Sequence, residues 1–437
     1  MNAREAAYTA LLRHENNASY SNIELDATIK KYNLEGVERS FCTAIFYGVI
    51  ERAITLDYYI SALSARPIEE IDTNVRVILR MGLYQLIYMD KVPDSAAVNE
   101  SVNLARRFWA RKNSEGFINA VLRSFLREKN KISLPDKKKE PIKHISVKYS
   151  MPEWLCRLFC ENYGTDETEK IFDEFNKVPP ITLRVNTIKI TRESLTKRLL
   201  KAGIAAKPTK NAPNGLLLAG GTPYSALEPF EGEFFVQNEA SQICVEALGA
   251  HSGEKILDAC ACPGGKSFGI AMLMNSEGEI HSCDLHKNKL SLIERGAQNL
   301  GISIITAIER NAAKEDKRGE FYDRILCDVP CSGLGVIAQK PDIKRKKHED
   351  IERLPIIQAN ILRESAKHLK KGGILVYSTC TLNHKENADI VNAFLAENKD
   401  FSLVPFEVGE IKTDGMIELF PHIHHTNGFF IAKIKKI

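Results

Sequence analysis

The stretch that decides the fold reads Ile256-Leu257-Asp258-Ala259-Cys260-Ala261-Cys262-Pro263-Gly264-Gly265-Lys266. An apolar run enters a Gly-rich turn, and a helix-compatible sequence follows it. Such a turn presents backbone N–H groups and the positive N-terminus of a helix to an anionic group, with no Cβ in the way. The spacing is neither that of a dinucleotide-binding G-x-G-x-x-G nor that of a Walker phosphate loop. The motif therefore indicates a strand, a ligand-binding turn and a helix at the start of an α/β domain.

Short apolar runs alternate with helical patterns around this stretch, from about residue 236 to the C-terminus. The predicted strands are 255–258, 279–284, 302–308, 324–329 and 373–379, and the predicted helices are 267–275, 287–300, 351–369 and 385–397. Strands that alternate with helices indicate a doubly wound parallel sheet. We therefore predict that residues 236–437 form an α/β, Rossmann-like domain, which closes on an edge hairpin at 428–434.

The 437 residues are too many for one hydrophobic core, so two or three domains are expected. Apolar residues recur at helical spacing through residues 1–130, which predicts an all-α domain. Residues 131–145 are charged, contain Pro135 and Pro141 and lack periodicity, so we interpret them as a linker. Mixed helical and β-like patterns at 146–235 predict a small α+β connector domain.

The composition is that of a globular protein, with 44% hydrophobic and 27% charged residues. The N-terminus has no apolar segment behind a basic cluster, and no uncharged run is long enough to span a bilayer. We therefore expect a cytoplasmic protein without a membrane partner. Ten cysteines in such a chain are expected to be buried or catalytic rather than disulfide-bonded. No two pairs have zinc spacing, so no metal site is predicted.

The net charge of +4 is modest, but basic residues cluster in two runs, at 344–347 and at 106–112. The second run mixes arginine and lysine with Phe108 and Trp109. A single basic run is more often a solvated face than a nucleic-acid contact. We nevertheless hypothesise that both runs contact the phosphates of an anionic partner.

A carboxylate ends the predicted strand that follows the Gly-rich turn. Asp284 stands roughly twenty residues after the turn, where an acidic side chain can accept hydrogen bonds from a ribose diol. Each feature alone is compatible with an ordinary strand–helix turn and a capping Asp. Because both occur in the expected order, we predict a nucleoside-containing cofactor.

Two cysteines follow neighbouring predicted strands, in Asp328-Val329-Pro330-Cys331-Ser332-Gly333 and in Ser378-Thr379-Cys380-Thr381. The carboxyl ends of parallel strands meet at one edge of a sheet, so both thiols are expected near the cofactor. A cytosine is electron-poor at C6 and unreactive at C5, and thiolate addition to C6 makes C5 nucleophilic. Two cysteines with an Asp suit that chemistry better than a hydrolytic triad. A buried core thiol remains the alternative for either one.

Motifs along the whole chain carry a family resemblance. They are found at 79–86, 96–100, 116–123, 183–186, 236–241, 261–266, 328–333, 377–381, 420–422 and 428–432. With these motifs, the chain resembles the bacterial 16S ribosomal RNA cytosine-C5 methyltransferases that have an N-terminal NusB-like domain. The resemblance implies an RNA-binding NusB-like domain at 1–130 and an S-adenosylmethionine methyltransferase domain at the C-terminus.

The resemblance also implies roles for individual residues. Cys380 would be the nucleophile, Cys331 would assist product release, and Asp328 would lie between cofactor and base, with Lys266 as a further catalytic group. The cofactor would be held by Asp284 at the ribose, by Asp328, and by the turn residues Cys260, Ala261, Cys262, Pro263, Gly264, Gly265 and Lys266. Asn311 would face the adenine where the family has Asp. Cys262 replaces the usual Ala and Asn238 the usual Asp, and neither change removes a catalytic group.

The substrate implied by the resemblance is a specific cytosine of 16S rRNA, before the ribosomal subunit is fully assembled. The family it resembles methylates cytosine 967, but the sequence alone does not fix the nucleotide position. The target base must leave its stack to reach the crevice, so an exposed nucleotide is the natural substrate. Two alternatives stay open from the sequence: a transfer-RNA cytosine-C5 methyltransferase, and a non-catalytic NusB-like RNA-binding factor.

Overall fold

In the computed structural model, the described residues are 2–17, 21–108, 114–316, 319 and 321–437. They divide into two compact units. Unit 1 consists of residues 1–176 and 340–346, and unit 2 of residues 177–339 and 347–437.

The described part of unit 1 is helical, as predicted for its N-terminal residues. Helix α4 begins where the Asp72 carboxylate accepts a hydrogen bond from Asn74 N, a side-chain N-cap. Fully buried Ile45 and Phe46 of α3 and Ile78 and Leu79 of α4 lie in its core. The α-helices are α1 Ala3–Asn17, α2 Ser21–Tyr32, α3 Gly36–Ser64, α4 Thr73–Tyr88, α5 Asp94–Phe108, α6 Ser114–Glu128, α7 Pro141–Tyr149, α8 Glu153–Tyr163 and α9 Thr165–Phe175.

The segment predicted as a linker contains the start of a helix. Pro141 occupies the first turn of α7, where its missing N–H costs no intrahelical bond. Helix α7 is tied to α3 because Thr55 Oγ1 donates to Val147 O at 2.6 Å and Ile54 N donates to Ser150 Oγ at 3.1 Å. Unit 1 therefore extends to residue 176. The division at 130, 145 and 235 stays a proposal based on sequence pattern.

A short segment from the C-terminal half of the sequence, residues 340–346, completes unit 1. Lys344 in its 3-10 helix is only 9% exposed, and Lys344 Nζ donates to Glu51 O at 2.8 Å and to Asn176 Oδ1 at 3.3 Å. Arg345 Nη1 donates to His14 O at 3.0 Å. The hypothesis that the whole run at 344–347 contacts phosphate is therefore wrong for Lys344, whose ammonium is buried. Of the run at 106–112, residues 109–112 lie outside the described part of the chain.

The first part of unit 2 is a small α+β unit. It corresponds to residues 177–235 of the connector predicted at 146–235, whose first residues, 146–176, belong to unit 1. Its four strands form an antiparallel sheet in the order β2-β3-β1-β4. Arg184 on β1 is buried and forms an ion pair of 2.8 Å with Glu246. The elements are β1 Thr182–Val185, α10 Arg192–Lys201, β2 Ala206–Pro208, β3 Gly215–Leu218 and β4 Phe234–Val236.

The rest of unit 2 is a Rossmann-like domain. Its elements are α11 Glu239–Leu248, β5 Lys255–Asp258, α12 Gly265–Leu273, β6 Glu279–Asp284, α13 Lys287–Leu300, β7 Ile305–Glu309, β8 Tyr322–Asp328, α14 Leu354–Lys367, β9 Leu369–Thr379, α15 Ala388–Glu397, β10 Phe401–Leu403, β11 Phe406–Val408, β12 Ile411–Thr413, β13 Met416–Leu419, α16 Pro421–His424 and β14 Phe429–Lys436. The main sheet has the order β10-β14-β9-β8-β5-β6-β7, and β13 pairs with β14. Strands β5 to β9 are parallel neighbours, which confirms the predicted doubly wound sheet.

The last strand differs from its prediction. Strand β14 pairs with β13 in a hairpin, but it also lies between β9 and β10, so it is an interior strand rather than an edge strand. Phe429, Phe430 and Ile431 are buried, because an interior strand is covered on both faces. Within the described ranges, we find no helix with the length and apolar character needed to cross a membrane.

Candidate active site

The parallel strands bring the predicted site residues to one edge of the sheet. The Gly-rich turn 259–265 follows β5, Asp284 ends β6, Asn311 follows β7, Asp328 ends β8 and Cys380 follows β9. The strand order reverses between β5 and β8, where doubly wound sheets bind their ligands. The sheet thus places the Gly-rich turn beside the strands that carry the cysteines.

The Gly-rich turn is fixed by its own backbone. Ala261 N donates to Cys283 O at 2.7 Å, and Gly264 N donates to Ala261 O at 2.7 Å. Gly264 has a φ of 109°, and a Cβ there would stand 2.5 Å from the ring of Phe268. No side chain among the described residues caps the N-terminus of α12 at this point. Its first N–H groups therefore suit an anionic ligand group.

Two polar side chains follow the next strands of the sheet. Asp284 Oδ1 accepts a hydrogen bond of 2.9 Å from His286 N, which orients this carboxylate at the end of β6. Asn311 Oδ1 accepts one of 3.0 Å from Ala313 N in a local turn. Each oxygen atom has a second lone pair, so both groups retain capacity for a ligand donor.

A buried polar chain lies beneath the turn. Asp258 is fully buried, Ser267 Oγ donates to Asp258 Oδ2 at 2.7 Å, and Ser282 Oγ donates to Ser267 Oγ at 2.7 Å. Burial raises the pKa of Asp258 to about 7. The three side chains link the start of α12 to strands β5 and β6. These hydrogen bonds have no signature in the sequence, because Ser267 in a helix and Ser282 in a strand have no distinctive spacing.

An ion pair joins α12 to β8. Lys266 Nζ donates to Asp328 Oδ2 at 2.6 Å, and Ser378 Oγ of β9 donates to Asp328 Oδ1 at 2.8 Å. Burial alone would lower the pKa of Lys266, but the Asp328 carboxylate, with Cys244 and Cys380, raises it above its ordinary value. Lys266 is therefore a lysine cation held among the groups that the sequence predicted to be catalytic.

The two cysteines meet at the ends of β8 and β9. Cys331 Sγ and Cys380 Sγ lie 2.9 Å apart, and either thiol is able to donate to the other. Beside them, the hydroxyls of Ser332 and Thr381 are 2.8 Å apart. The contact with Cys380, burial, and the charges of Cys380, Glu386 and Asp328 together raise the pKa of the Cys331 thiol well above its ordinary value. At this distance, a Cys331 thiol that retains its proton is able to donate a hydrogen bond to the Cys380 sulfur.

The remaining cysteines of the turn differ in their surroundings. Cys260 is held in the interior, where burial raises its pKa well above the ordinary value. Cys262 Sγ contacts Lys289 O at 3.8 Å. All ten cysteines are free, and across the described ranges no group of three metal-ligating side chains is found. Asn238 caps α11 by accepting from Ser241 N at 2.9 Å, a role that Asn fills as well as Asp.

Glu386 is the residue that the sequence reading missed most clearly. The sequence predicts a helix that starts at Lys385, yet Glu386 lies in a 3-10 turn. It is fully buried, and its Oε2 accepts from Ser332 N at 2.8 Å. The flanking Asn383 and Asn387, close behind the Cys380 motif, were the available signal. Asn residues favour local turns rather than helix interiors.

Residues 245–435 match the profile of a family described as 16S rRNA methyltransferase RsmB/F. Residues 1–127 match the NusB family, and residues 151–225 match an RsmF/B-like ferredoxin-like domain. A relative from Bacillus subtilis (strain 168), described as a probable ribosomal RNA small subunit methyltransferase B, is 39% identical over 99% of this chain and 98% of its own length. This chain belongs to the RsmB/F methyltransferase family.

Other RsmB/F relatives and two solved structures agree with this assignment. A ribosomal RNA small subunit methyltransferase B from Escherichia coli O1:K1 / APEC is 33% identical, with 91% of each chain covered. The crystal structure of PH0851 covers 100% of this chain and 99% of its own, with a TM-score of 0.82 and 25% identity. The structure of NSun6 from Pyrococcus horikoshii with SFG, an S-adenosylmethionine analogue, covers 65% of this chain and 98% of its own, with a TM-score of 0.58 and 25% identity.

Membership in the RsmB/F family confirms the resemblance noted in the sequence and the three-part fold class. The protein is an S-adenosylmethionine-dependent RNA methyltransferase. The uncapped α12 N-terminus and the carboxylate of Asp284 fit a cofactor that has a carboxylate at one end and a ribose in its middle.

Proposed function

We propose that this protein methylates carbon 5 of cytosine 967 in 16S rRNA through a covalent bond between Cys380 Sγ and C6 of the base. The observation that carries the proposal is the 2.9 Å approach of the two thiols beside the Lys266–Asp328 ion pair. The names of the RsmB/F relatives support the ribosomal substrate.

The cofactor site is assigned to the Gly-rich turn and the neighbouring strand ends. The N–H groups at the start of α12 would hold the carboxylate of the methionine part, and Asp284 would accept from the ribose diol. Asn311 Oδ1 would accept from the adenine amine, without the charge of an Asp. When bound, the cofactor supplies an electrophilic sulfonium methyl group.

The protein's own groups would activate the base. Cys380 Sγ adds to C6 as a thiolate, with Lys266 as the nearby cation, and the electrons of the C5–C6 double bond move to C5. Asp328, anchored by Lys266 and Ser378, would face the amino group of the cytosine. C5 would take the methyl group with this electron pair as the methyl–sulfonium bond breaks, which leaves a neutral thioether. A base would then remove the C5 proton, the C5–H electrons would reform the double bond, and the C6–S electrons would return to Cys380. Cys331 would assist this elimination by donating a hydrogen bond to the departing thiolate.

A trapping experiment distinguishes the role of Cys380 from that of Cys331. We expect Cys380→Ala to lose turnover and every covalent protein–RNA adduct. Cys331→Ala should form the adduct and release it poorly, so a protein–RNA band accumulates on a denaturing gel run after incubation with RNA and cofactor. Cys42→Ala, which removes a buried thiol of unit 1, is the matched control and should show no accumulation. An adduct from Cys380→Ala and none from Cys331→Ala would reverse the assignment.

The target nucleotide is tested with labelled cofactor. Total RNA from cells that lack the modification would be incubated with the enzyme, and the labelled cytosine would be mapped by sequencing. We expect one position in 16S rRNA, and faster labelling of free rRNA than of assembled subunits, since the base must be extruded. Labelled transfer RNA would instead identify a transfer-RNA enzyme. If the intact protein bound RNA but transferred no labelled methyl group to it, the protein would be a non-catalytic RNA-binding factor.

A further inference from the structure

The loop that carries Cys331 is held by one buried carboxylate. Glu386 is fully buried, and its two oxygens accept three hydrogen bonds: Oε2 from Ser332 N at 2.8 Å and from Gln358 Nε2 at 2.9 Å, and Oε1 from Asn383 Nδ2 at 2.9 Å. These donors come from the Cys331 loop, from helix α14 and from the turn that follows Cys380. A single side chain therefore joins the two cysteine-bearing segments.

The same cluster also holds the residue that precedes Cys331 in the chain. Gln358 Nε2 also donates to Pro330 O at 2.9 Å, so the residues before and after Cys331 are both fixed. The Tyr377 hydroxyl donates to Glu386 O at 2.7 Å and anchors the turn to β9. A displacement of Glu386 would thus move Cys331 relative to Cys380.

We propose that Glu386 is a positioning residue for methyl transfer, which clamps the Cys331 loop against the Cys380 turn. This inference rests on the proposed function, because it explains how Cys331 acts in product release. Glu386 would act through Cys331 and is not assigned a contact with substrate or cofactor.

The chemistry of the cluster explains why a carboxylate stands here. All three partners of the carboxylate are N–H donors, one from the backbone of Ser332 and two from side-chain amides. An ionised carboxylate only accepts, whereas a Gln would present its own N–H₂ to at least one of them. No lysine or arginine in the described part of the chain forms an ion pair with Glu386. A buried charge without a cation is costly for folding, which favours a functional reason for keeping it.

The charge of Glu386 acts on the Cys331 thiol, which also lies near Cys380, Asp328 and Tyr377. The contact with Cys380, burial, and the charges of Cys380, Glu386 and Asp328 all raise the pKa of Cys331. Tyr377 is a further titratable group near this thiol. A thiol that retains its proton is able to donate a hydrogen bond to the Cys380 sulfur when the C6–S electrons return to it. Cys380 would thereby act as the nucleophile and Cys331 as the hydrogen-bond donor.

The test uses the full-length protein and the variant Glu386→Gln, which retains the size of the side chain and removes its charge. The exposed Glu397→Gln at the end of α15 is the matched control. We expect Glu386→Gln to release the RNA adduct at least tenfold more slowly than the wild type, with Glu397→Gln unchanged. In a Cys380→Ala background, the rate of Cys331 alkylation by iodoacetamide should have its midpoint at lower pH after Glu386→Gln. Loosening that exposed Cys331 to solvent would also lower this midpoint, because burial raises the pKa of Cys331, so a second variant has to separate the two effects.

A second variant separates clamping from charge. Gln358→Leu removes two hydrogen bonds but leaves the carboxylate, so release should slow without a downward shift of the alkylation midpoint. This variant also keeps the inference testable if Glu386→Gln fails to fold. A folded Glu386→Gln with wild-type release and an unchanged midpoint would overturn the inference. If the wild type itself forms no Cys380 adduct, the proposed function fails instead.

Discussion

Gly264 illustrates how a single residue can satisfy two constraints. The sequence suggested that a glycine leaves room for a ligand beside the backbone. In the structure its φ of 109° is in the left-handed region, and the Phe268 ring lies where a Cβ would stand. A Gly264→Val variant would therefore combine loss of binding with loss of stability, so it is a poor test of cofactor binding on its own. Gly265, next in the chain, has neither constraint.

We predict that Gly264→Ala lowers the free energy of unfolding by about 1–3 kcal/mol, because the new Cβ must adopt a strained backbone and displace Phe268. Gly265→Ala is the control, since its Cβ would be 3.6 Å from the nearest atom, Gln237 Nε2. Its effect should be within about 0.5 kcal/mol. Urea unfolding of both variants without cofactor measures the difference. Equal stabilities would show that the turn relaxes easily.

At the scale of elements, three connections meet behind the cysteines. Gly335 N donates to Cys380 O at 3.0 Å, and Gly428 N donates to Gly335 O at 2.9 Å. A Cβ on Gly335 would stand 1.9 Å from Gly428 O. The loop after β8, the turn after β9 and the start of β14 are therefore in backbone contact. This contact fits the pairing of β14 with β9, the strand that leads to Cys380.

Gly335→Ala should separate these connections and misplace Cys331 and Cys380 relative to each other. We expect kcat to fall by about 100-fold or more, since a displacement of about 1 Å in a catalytic site has an effect of that size. Single-turnover methylation with saturating RNA measures it. Gly220→Ala, at a position with no atom within 4 Å of the new Cβ, should leave kcat unchanged. Wild-type kcat in Gly335→Ala would contradict the need for close backbone contact.

The sequence correctly predicted those strands and helices whose bounds are marked by residues close to them in the chain. The strands 255–258 and 279–284 and the helix 287–300 have the predicted bounds, because apolar runs and a C-terminal glycine, Gly301, mark them. Strand β9 begins at Leu369 rather than at 373, since the polar Lys370 and Lys371 obscure its start. The charge state of Cys331 and the burial of Glu386 and Lys344 depend on partners distant in sequence. Spacing alone carries no information about them.

At the scale of the whole molecule, unit 1 is built from two separate stretches of chain. Residues 340–346 contribute Asp342, whose Oδ2 accepts from Ser21 N and Oγ, and Lys344, which donates to Glu51 and Asn176. Burial lowers the pKa of Lys344 to about 7 from its ordinary value of 10.5. Between these two pH values the unfolded chain binds a proton that the folded chain does not. The free energy of unfolding therefore rises with pH across this window.

Replacing Lys344 by Met removes this titration. We expect Lys344→Met to be more stable than the wild type near pH 6, where the wild type buries a charged ammonium, and this advantage should shrink by about 1–2 kcal/mol between pH 7 and pH 9. Urea unfolding at a series of pH values measures the difference between the two proteins. Lys347→Met, at an exposed position of the same run, should track the wild type at every pH. A constant offset for Lys344→Met would show that the ammonium titrates normally.

Because unit 1 is formed from two separate stretches of chain, its fold can be completed only late in synthesis. A ribosome completes residues 1–176 early, but the unit lacks its own segment 340–346 until most of the chain has been made. During that interval, Glu51 O and the Asn176 amide oxygen lack their native hydrogen bonds from Lys344, and Ser21 lacks its native acceptor, Asp342. The nascent N-terminal helices are thus held one segment short of their native contacts while much of unit 2 is translated. Native RNA-binding helices would then be finished only on chains whose ribosome has already passed Cys331 and the cofactor turn.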